Sequence, residues 1–345
     1  MANFKKYFFW STIFAVICLI LWFVVWYLSQ GTIGGGLSSM FIVAVLWLLE
    51  TSISFDNAIV NVNVLKNMDA TRQKRFLTRG MVIAVFGMRV LFPILLVAIF
   101  AKINPLQALN LAIYNPVQYG QALSDSHIVI AGFWWAFLMM VWLKFFFNKE
   151  KNIHWIQKLE HWMTKLGKME AIEAAIVLII LELFSYFIDP LYVHEFFVAG
   201  VWWVVLYILI NGIEAFFGHG EHGAEMIAKT GLASFLYLEI LDASFSLDGV
   251  IGAFALSNNL LTIAAGLGIG AFFVRSFTIY MLKAGTLQSY RYLEHGAFYA
   301  VIALAIMMLI GSIVHLPEVV IWGIGLVCIA LSLYSSWRVN KISKK

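Results

Sequence analysis

Charge is what this sequence has least of. Aspartate, glutamate, lysine and arginine make up 12% of its 345 residues, while 62% are hydrophobic. A water-soluble fold of that length needs far more polar surface, so the composition excludes one and points to a polytopic membrane protein. Cysteine is nearly missing: Cys18 and Cys328 both lie in apolar stretches, which excludes a disulfide framework and a cysteine zinc site. No low-complexity tract, nucleotide-binding loop, Ser–His pairing or Gly-x-Gly-Asp pattern is present. The chain is therefore expected to be no enzyme, to need no cofactor and to bind no nucleic acid. Protein partners are left open.

What is present is a series of apolar runs, each about 20 residues long and so able to cross a hydrocarbon core. We count about ten, near 7–28, 38–64, 80–100, 128–147, 171–188, 195–217, 232–256, 261–282, 297–314 and 319–337. The first follows Lys5-Lys6 and carries Trp22, Trp26 and Tyr27 near its end. It is too long for a signal peptide and reads as a retained helix. The expected fold is an all-α transmembrane bundle, a single domain over 1–345.

The loops fix the orientation, because cytoplasmic loops collect lysine and arginine. With ten alternating spans and the N-terminus inside, 20 of the 23 basic residues fall on the cytoplasmic side. Lys102 alone falls outside, and Arg89 and Arg275 lie within spans. The expected location is a bacterial inner (plasma) membrane with both termini cytoplasmic. The loop 148–170 carries Trp155, Ile156, Leu159, Trp162, Met163 and Leu166 at helical spacing, with Lys and Glu between them. It reads as an amphipathic helix on the bilayer surface or as an ordinary packed connector. The outer loop 101–127 contains Pro105 and Pro116 and is expected to be partly irregular. The pairs Trp134-Trp135 and Trp202-Trp203 are expected to face lipid or the interface.

Two stretches inside apolar runs break the pattern, and they match each other. Glu50-Thr-Ser-Ile-Ser-Phe-Asp56-Asn57 and Asp242-Ala-Ser-Phe-Ser-Leu-Asp248-Gly249 both place acids six residues apart around two serines. Intramembrane acids are costly and mark functional sites. The match continues: each acidic span is followed by a span with Gly and, nine residues on, Arg (Gly80 and Arg89, Gly266 and Arg275). Five spans separate the acidic ones, so repeat 1 (about 38–100) and repeat 2 (about 232–283) are expected to run in opposite directions. Inverted repeats place ion sites near the midplane, often on interrupted helices.

Six residues turn a regular helix so that Glu50 and Asp56 point about 120° apart. A break near Ser54 and another near Ser246 would let the acids converge and free backbone carbonyls, which is tolerated only around a polar cavity. Carboxylate, hydroxyl, amide and carbonyl oxygens suit hard divalent cations such as Mn2+, Ca2+ or Mg2+. The candidate metal ligands are Glu50, Asp56, Asn57, Asp242, Ser246 and Asp248, with Ser54, Glu182 and Glu239 as additions. Arg89 and Arg275 are expected as structural ion-pair partners. His219 and His222, in a Gly-rich cytoplasmic loop, read either as a cation trap or as a solvated loop.

Glu50 to Ala58 resembles the E-x-S-x-S-x-D-N-A signature of the TerC family of integral membrane proteins, and Asp242 to Gly249 resembles that family's second acidic motif. The similarity covers about 41–309, with extra spans and a long 148–170 loop that mark a larger branch. The resemblance implies a transporter of the LysE type, with inverted repeats, that exports Mn2+. The alternatives are a transporter of another cation or solute, including Ca2+ or one tied to tellurium resistance, and a membrane scaffold or assembly factor. The expected partners are the divalent cation and the bilayer. The topology is testable. Reporters active only in the cytoplasm, fused at either end, are expected to be active at both; an inactive reporter at one end breaks the parity on which the inverted repeat depends.

Overall fold

The computed structural model describes residues 4–66, 68, 70–80, 82–100, 102–148, 151–169, 171–218, 249–250, 253, 256–257, 259–314 and 318–342. All regular elements among them are helical. Among the described residues, five helices are long and apolar enough to cross a membrane: Lys5–Ser29, Ile33–Ser52, Ile128–Phe146, Leu260–Ala284 and Leu293–Gly311. Arg89–Ile99 and Val193–Leu209 are shorter apolar helices.

The chain packs as two compact units, Met1–Ser126 with Leu238–Thr286, and His127–Tyr237 with Leu287–Lys345. In chain order, the first unit holds α1 (Phe4–Gln30), α2 (Ile33–Ile53), α3 (Phe55–Leu65) and α4 (Ala70–Arg75). Two π-helical stretches follow, Phe76–Gly80 and Ile83–Leu91, then α5 (Phe92–Phe100), α6 (Pro105–Tyr114) and α7 (Pro116–Asp125). The second unit holds α8 (His127–Phe146), α9 (Gln157–Leu166), α10 (Ile172–Ser185) and α11 (Val193–Gly218). α12 (Leu260–Ala284) belongs to the first unit, and α13 (Leu293–Gly311) and α14 (Glu318–Ile342) complete the second.

In the first unit α12 packs against both α1 and α2, which also pack on each other. It runs antiparallel to α1: Tyr7 meets Tyr280, and Phe14 stacks on Phe272. Between them Ser11 donates to the Phe272 carbonyl at 3.0 Å and shares a 2.5 Å hydrogen bond with Ser276. Against α2 it runs parallel, since Val43 lies beside Gly266, Trp47 beside Gly270 and Phe55 beside Phe277. Gly266 and Gly270 are four residues apart and permit that approach. A Cβ would stand 3.0 Å from the Val43 carbonyl oxygen at Gly266 and 3.3 Å from that of Trp47 at Gly270. Small residues at this spacing let membrane helices pack backbone to backbone.

Among the described residues of the 101–127 segment, Lys102, Ile103, Asn104, Asn115 and Ser126 lie outside helices, and Pro105 and Pro116 break none. Each opens a helix, at the first helical position, where a missing N–H costs nothing. Asn104 completes a capping box at the start of α6, its side chain accepting from Leu106 N–H at 2.9 Å while Gln107 accepts from Asn104 N–H.

In the second unit α8 and α11 run parallel: Gly132 meets Phe196, Phe137 meets Trp203 edge to face, and Lys144 lies over Tyr207. This pairing corrects the reading of the tryptophans. Trp134, Trp135 and Trp203 are buried, and only Trp202 faces outward. The helix–helix contact takes the rings that the composition suggested for lipid. α10 is the antiparallel partner of α11, with Leu181 filling the space over Gly200.

Residues 151–156 end in a knot on the first turns of α13. Glu160, at the start of α9, is fully buried. Its carboxylate accepts from Trp155 N–H, Ile156 N–H and Tyr299 O–H, each at 3.1 Å. Lys151 Nζ stands 3.5 Å away, His154 Nδ1 3.5 Å and His295 Nε2 3.3 Å. His295 Nε2 also lies 2.9 Å from the Ile153 carbonyl, so facing two acceptors it carries the proton. Lys151 covers the Phe145 and Phe146 rings at the end of α8. Tyr292 N–H donates to Ser336, and Asn340 to the Ser289 carbonyl, which brings the C-terminal end of α14 to the same end of the unit.

α9 is amphipathic, with much of its apolar stripe facing away from the bundle. Its buried side is Glu160 and Met163, whereas Ile156, Leu159 and Trp162 are exposed by 46%, 42% and 58%. The Glu160 hydrogen bonds and buried Met163 are what hold α9 to the bundle. Burial pushes the Glu160 carboxyl up, but the His295 hydrogen bond and charge, the Ile156 N–H and the Lys151 charge outweigh it and hold it at about 2. Burial brings Lys151 down to about 8, against the attraction of Glu160.

Removing one member of such a buried cluster strands the others, so Glu160→Ala is expected to cost about 3–5 kcal/mol. The folded carboxyl sits below its ordinary value of 4.5. Its contribution is therefore complete above that pH and is lost as the pH falls toward 2. Unfolding of the purified chain in detergent should show a large gap between wild type and variant at neutral pH that narrows on acidification. Equal midpoints at neutral pH would mean that the knot holds nothing.

Candidate metal centre

The site is built where α2 gives way to α3. Ser54 separates them, with φ −84° and ψ 15°. The interruption falls where the sequence places it, but it is narrow. Ser54 N–H still donates to Glu50 O at 2.9 Å, and Ser54 O still accepts from Ala58 N–H at 3.1 Å. Ser54 turns its hydroxyl back onto Glu50 Oε1 at 2.9 Å, the local side-chain bonding that makes serine a weak helix former.

Glu50 is fully buried and Arg89 nearly so. Arg89 Nη2 donates to the same oxygen, Oε1, at 2.5 Å. Arg89 stands in the π-helical stretch Ile83–Leu91, where a regular α-helix was expected. Phe92 N–H reaches back five residues to Gly87 O. π turns inside helices frequently mark functional sites, and this one carries the arginine that meets Glu50.

With two donors on Oε1, the other oxygen is bare. Glu50 Oε2 is buried and has no hydrogen-bond donor among the described residues. Two glycines border the carboxylate. A Cβ at Gly249 would stand 2.7 Å from Oε2, and one at Gly270 would collide with Glu50 Cβ and Cγ. Gly249 closes the second acidic motif, so the end of that motif lies against the acid that opens the first.

Asp56 and Asn57 follow the kink in the first turn of α3, both buried. Asp56 Oδ1 accepts from Asn57 N–H at 2.8 Å. A carboxylate at a helix N-terminus is favoured by the peptide dipoles there. One turn on, Asn61 is buried as well, with an Oδ1 that has no donor among the described residues. Glu50 is paired with Arg89, whereas Asp56 has no ion pair among the described residues.

Arg275, the counterpart of Arg89, meets a carbonyl. Its Nε donates to Leu77 O at 2.5 Å, in the other π-helical stretch, and among the described residues no carboxylate lies on it. Arg275 lies beside Leu77 while Gly270 and Arg89 share Glu50, so residues 77–89 run antiparallel to 270–275. Glu182 is in the second unit, exposed near the end of α10, where Tyr186 O–H donates to it at 3.2 Å. Asp242, Ser246, Asp248, Glu239, His219 and His222 lie outside the described residues. Two residues escaped sequence reading although the signal was there. Asn61 is four residues after Asn57, on the same helix side. Gly270 completes a Gly-x-x-x-Gly step from Gly266.

Taken together, these observations define an all-α protein with membrane-spanning helices and a buried, oxygen-rich acid–arginine centre. The chain belongs to the family described as "Protein of unknown function (DUF475)", whose model matches residues 55–343. No curated protein and no solved structure matches the chain.

The pairing of Glu50 with Arg89 has a measurable consequence. Arg89→Met strands a buried carboxylate and is expected to cost about 3–5 kcal/mol, with Arg89→Lys restoring part, because the planar fork is lost. Adding Glu50→Gln to Arg89→Met should recover stability. If the double variant is no more stable than Arg89→Met alone, the two side chains are not coupled.

Proposed function

We propose that this chain is a secondary transporter that exports a hard divalent cation, most simply Mn2+. The ion passes an intramembrane site built from two inverted acidic motifs. The observation that carries the reading is Glu50 Oε2, a buried carboxylate oxygen without a donor, facing the glycine that ends the second motif. An oxygen left bare in an apolar surrounding is costly unless something positive visits it. Asp56, Asn57 and Asn61 follow within the next turns, and all are oxygen donors of the class that hard cations prefer. Asp242, Ser246 and Asp248 supply the second half of the shell. The antiparallel course of 77–89 and 270–275, the break at Ser54 and the resemblance of Glu50–Ala58 to the TerC signature support an inverted-repeat transporter of about ten spans.

The mechanism follows from the charges. Arg89 neutralises Glu50 and pins Oε1, so Oε2 is presented in a fixed direction. Asp56 adds a second buried carboxylate for the cation. Carboxylates crowded in a low-dielectric site take up protons when the ion leaves. Outward metal movement is thereby exchanged for inward protons, without a nucleotide.

The test is intracellular Mn2+ and survival under Mn2+ stress in cells expressing wild type, Glu50→Gln, Asp56→Asn, Asp242→Asn or Asp248→Asn. Wild type should lower internal Mn2+ and protect, and each charge-neutral variant should lose most of both, the aspartate variants while still reaching the membrane and Glu50→Gln, which strands Arg89, at a reduced level. If all four protect as wild type does, these carboxylates are not the transport site.

A further inference from the structure

One end of the second unit gathers charge and exposed rings around α9. Projected at about 100° per residue, α9 has three sides. Glu160 and Met163 face the bundle. Leu159 and Trp162 form an exposed apolar edge next to them, continued by exposed Ile153 and Ile156. Lys158 and Lys165, seven residues apart, form an exposed basic edge beyond that, and Lys168 follows just after the helix. The Glu160 knot ties this helix to Tyr299 and His295, in the first two turns of α13, and Lys151 ties it to the last turn of α8. α9 is therefore held at the ends of the apolar helices α8 and α13, the level at which helices that cross a bilayer meet its headgroups. The same end carries exposed Arg291, Trp337, Tyr334 and Arg338, with Lys341 over the Trp337 ring at 5.1 Å. Aromatic rings and basic side chains at one level are the mark of a membrane interface, and positive charge there complements anionic lipid.

We propose that this end of the unit is a binding surface for anionic phospholipid, with α9 lying in the headgroup layer. Leu159 and Trp162 enter the acyl boundary, and Lys158, Lys165 and Lys168 engage lipid phosphates. Amphipathic helices bind membranes by this division of labour. Here the orientation is set in advance, because Glu160 fixes which side of α9 meets the bundle and so which edge is left for lipid. The surface is independent of the ion site.

Two measurements on the full chain decide it. In a Cys18→Ser, Cys328→Ser background, a nitroxide at Trp162→Cys or at Lys158→Cys is read by power saturation in nanodiscs containing phosphatidylglycerol. The label at 162 is expected to be more accessible to oxygen than to an aqueous nickel chelate, and the label at 158 the reverse. Native mass spectrometry of the detergent-purified chain is expected to show retained phosphatidylglycerol, reduced several-fold in Lys158→Gln/Lys165→Gln/Lys168→Gln. A label at 162 that favours nickel, or one shielded from both reagents as at a contact with a second copy, overturns the proposal. So does a triple variant that retains as much phosphatidylglycerol as wild type.

Discussion

A carboxylate taken out of water needs its counter-charge at hand, and in this chain Glu50 has it in Arg89. Desolvation of two ions is large, and their attraction offsets it only where geometry and further hydrogen bonds are good. Ser54 supplies one of those bonds, and the kink at Ser54 separates the helix of Glu50 from the helix of Asp56. The π turn carries the guanidinium to the same oxygen. Gly270 lets α12 approach α2 closely enough to wall the pair off. Helix break, helix widening and helix contact are three local departures from regularity, and all three meet at one carboxylate.

The second unit solves a similar problem by other means. Glu160 is as buried as Glu50, but it is saturated: two backbone N–H groups, a tyrosine hydroxyl, a lysine and two histidines surround it. Glu50 by contrast has both its donors on one oxygen. The comparison separates a carboxylate that serves architecture from one that has an oxygen to spare.

Much of this was legible in the sequence. Two acids and two serines repeated in register named the helix with the break, and Ser54 is where the break falls. An arginine inside an apolar run required an acid, and Arg89 has Glu50. What was not legible is what depends on neighbours distant in the chain. Trp134, Trp135 and Trp203 are interior because α8 and α11 run side by side, and ring content does not tell lipid from a partner helix. Which side of α9 meets the bundle is set by Glu160 through Tyr299 and His295, more than 130 residues away. Pro105 and Pro116 read as breakers, and their position at helix starts turned on Asn104 and Asn115 just before them.

The repeat is not perfect, and position 249 shows why. The first motif ends in Asn57, whereas the second ends in Gly249. The carboxylate of Glu50 occupies the space that any side chain at 249 would enter. If the halves arose by duplication of one ancestral segment, the fold that joined them made its two copies unequal. An asparagine at 249 would press on Oε2, the outer end of the Glu50 side chain, so the acid that opens one motif and the amide that would end the other compete for one space. A chimera carrying the first motif twice would have to move that carboxylate, which ties the difference between the motifs to the direction in which Glu50 points.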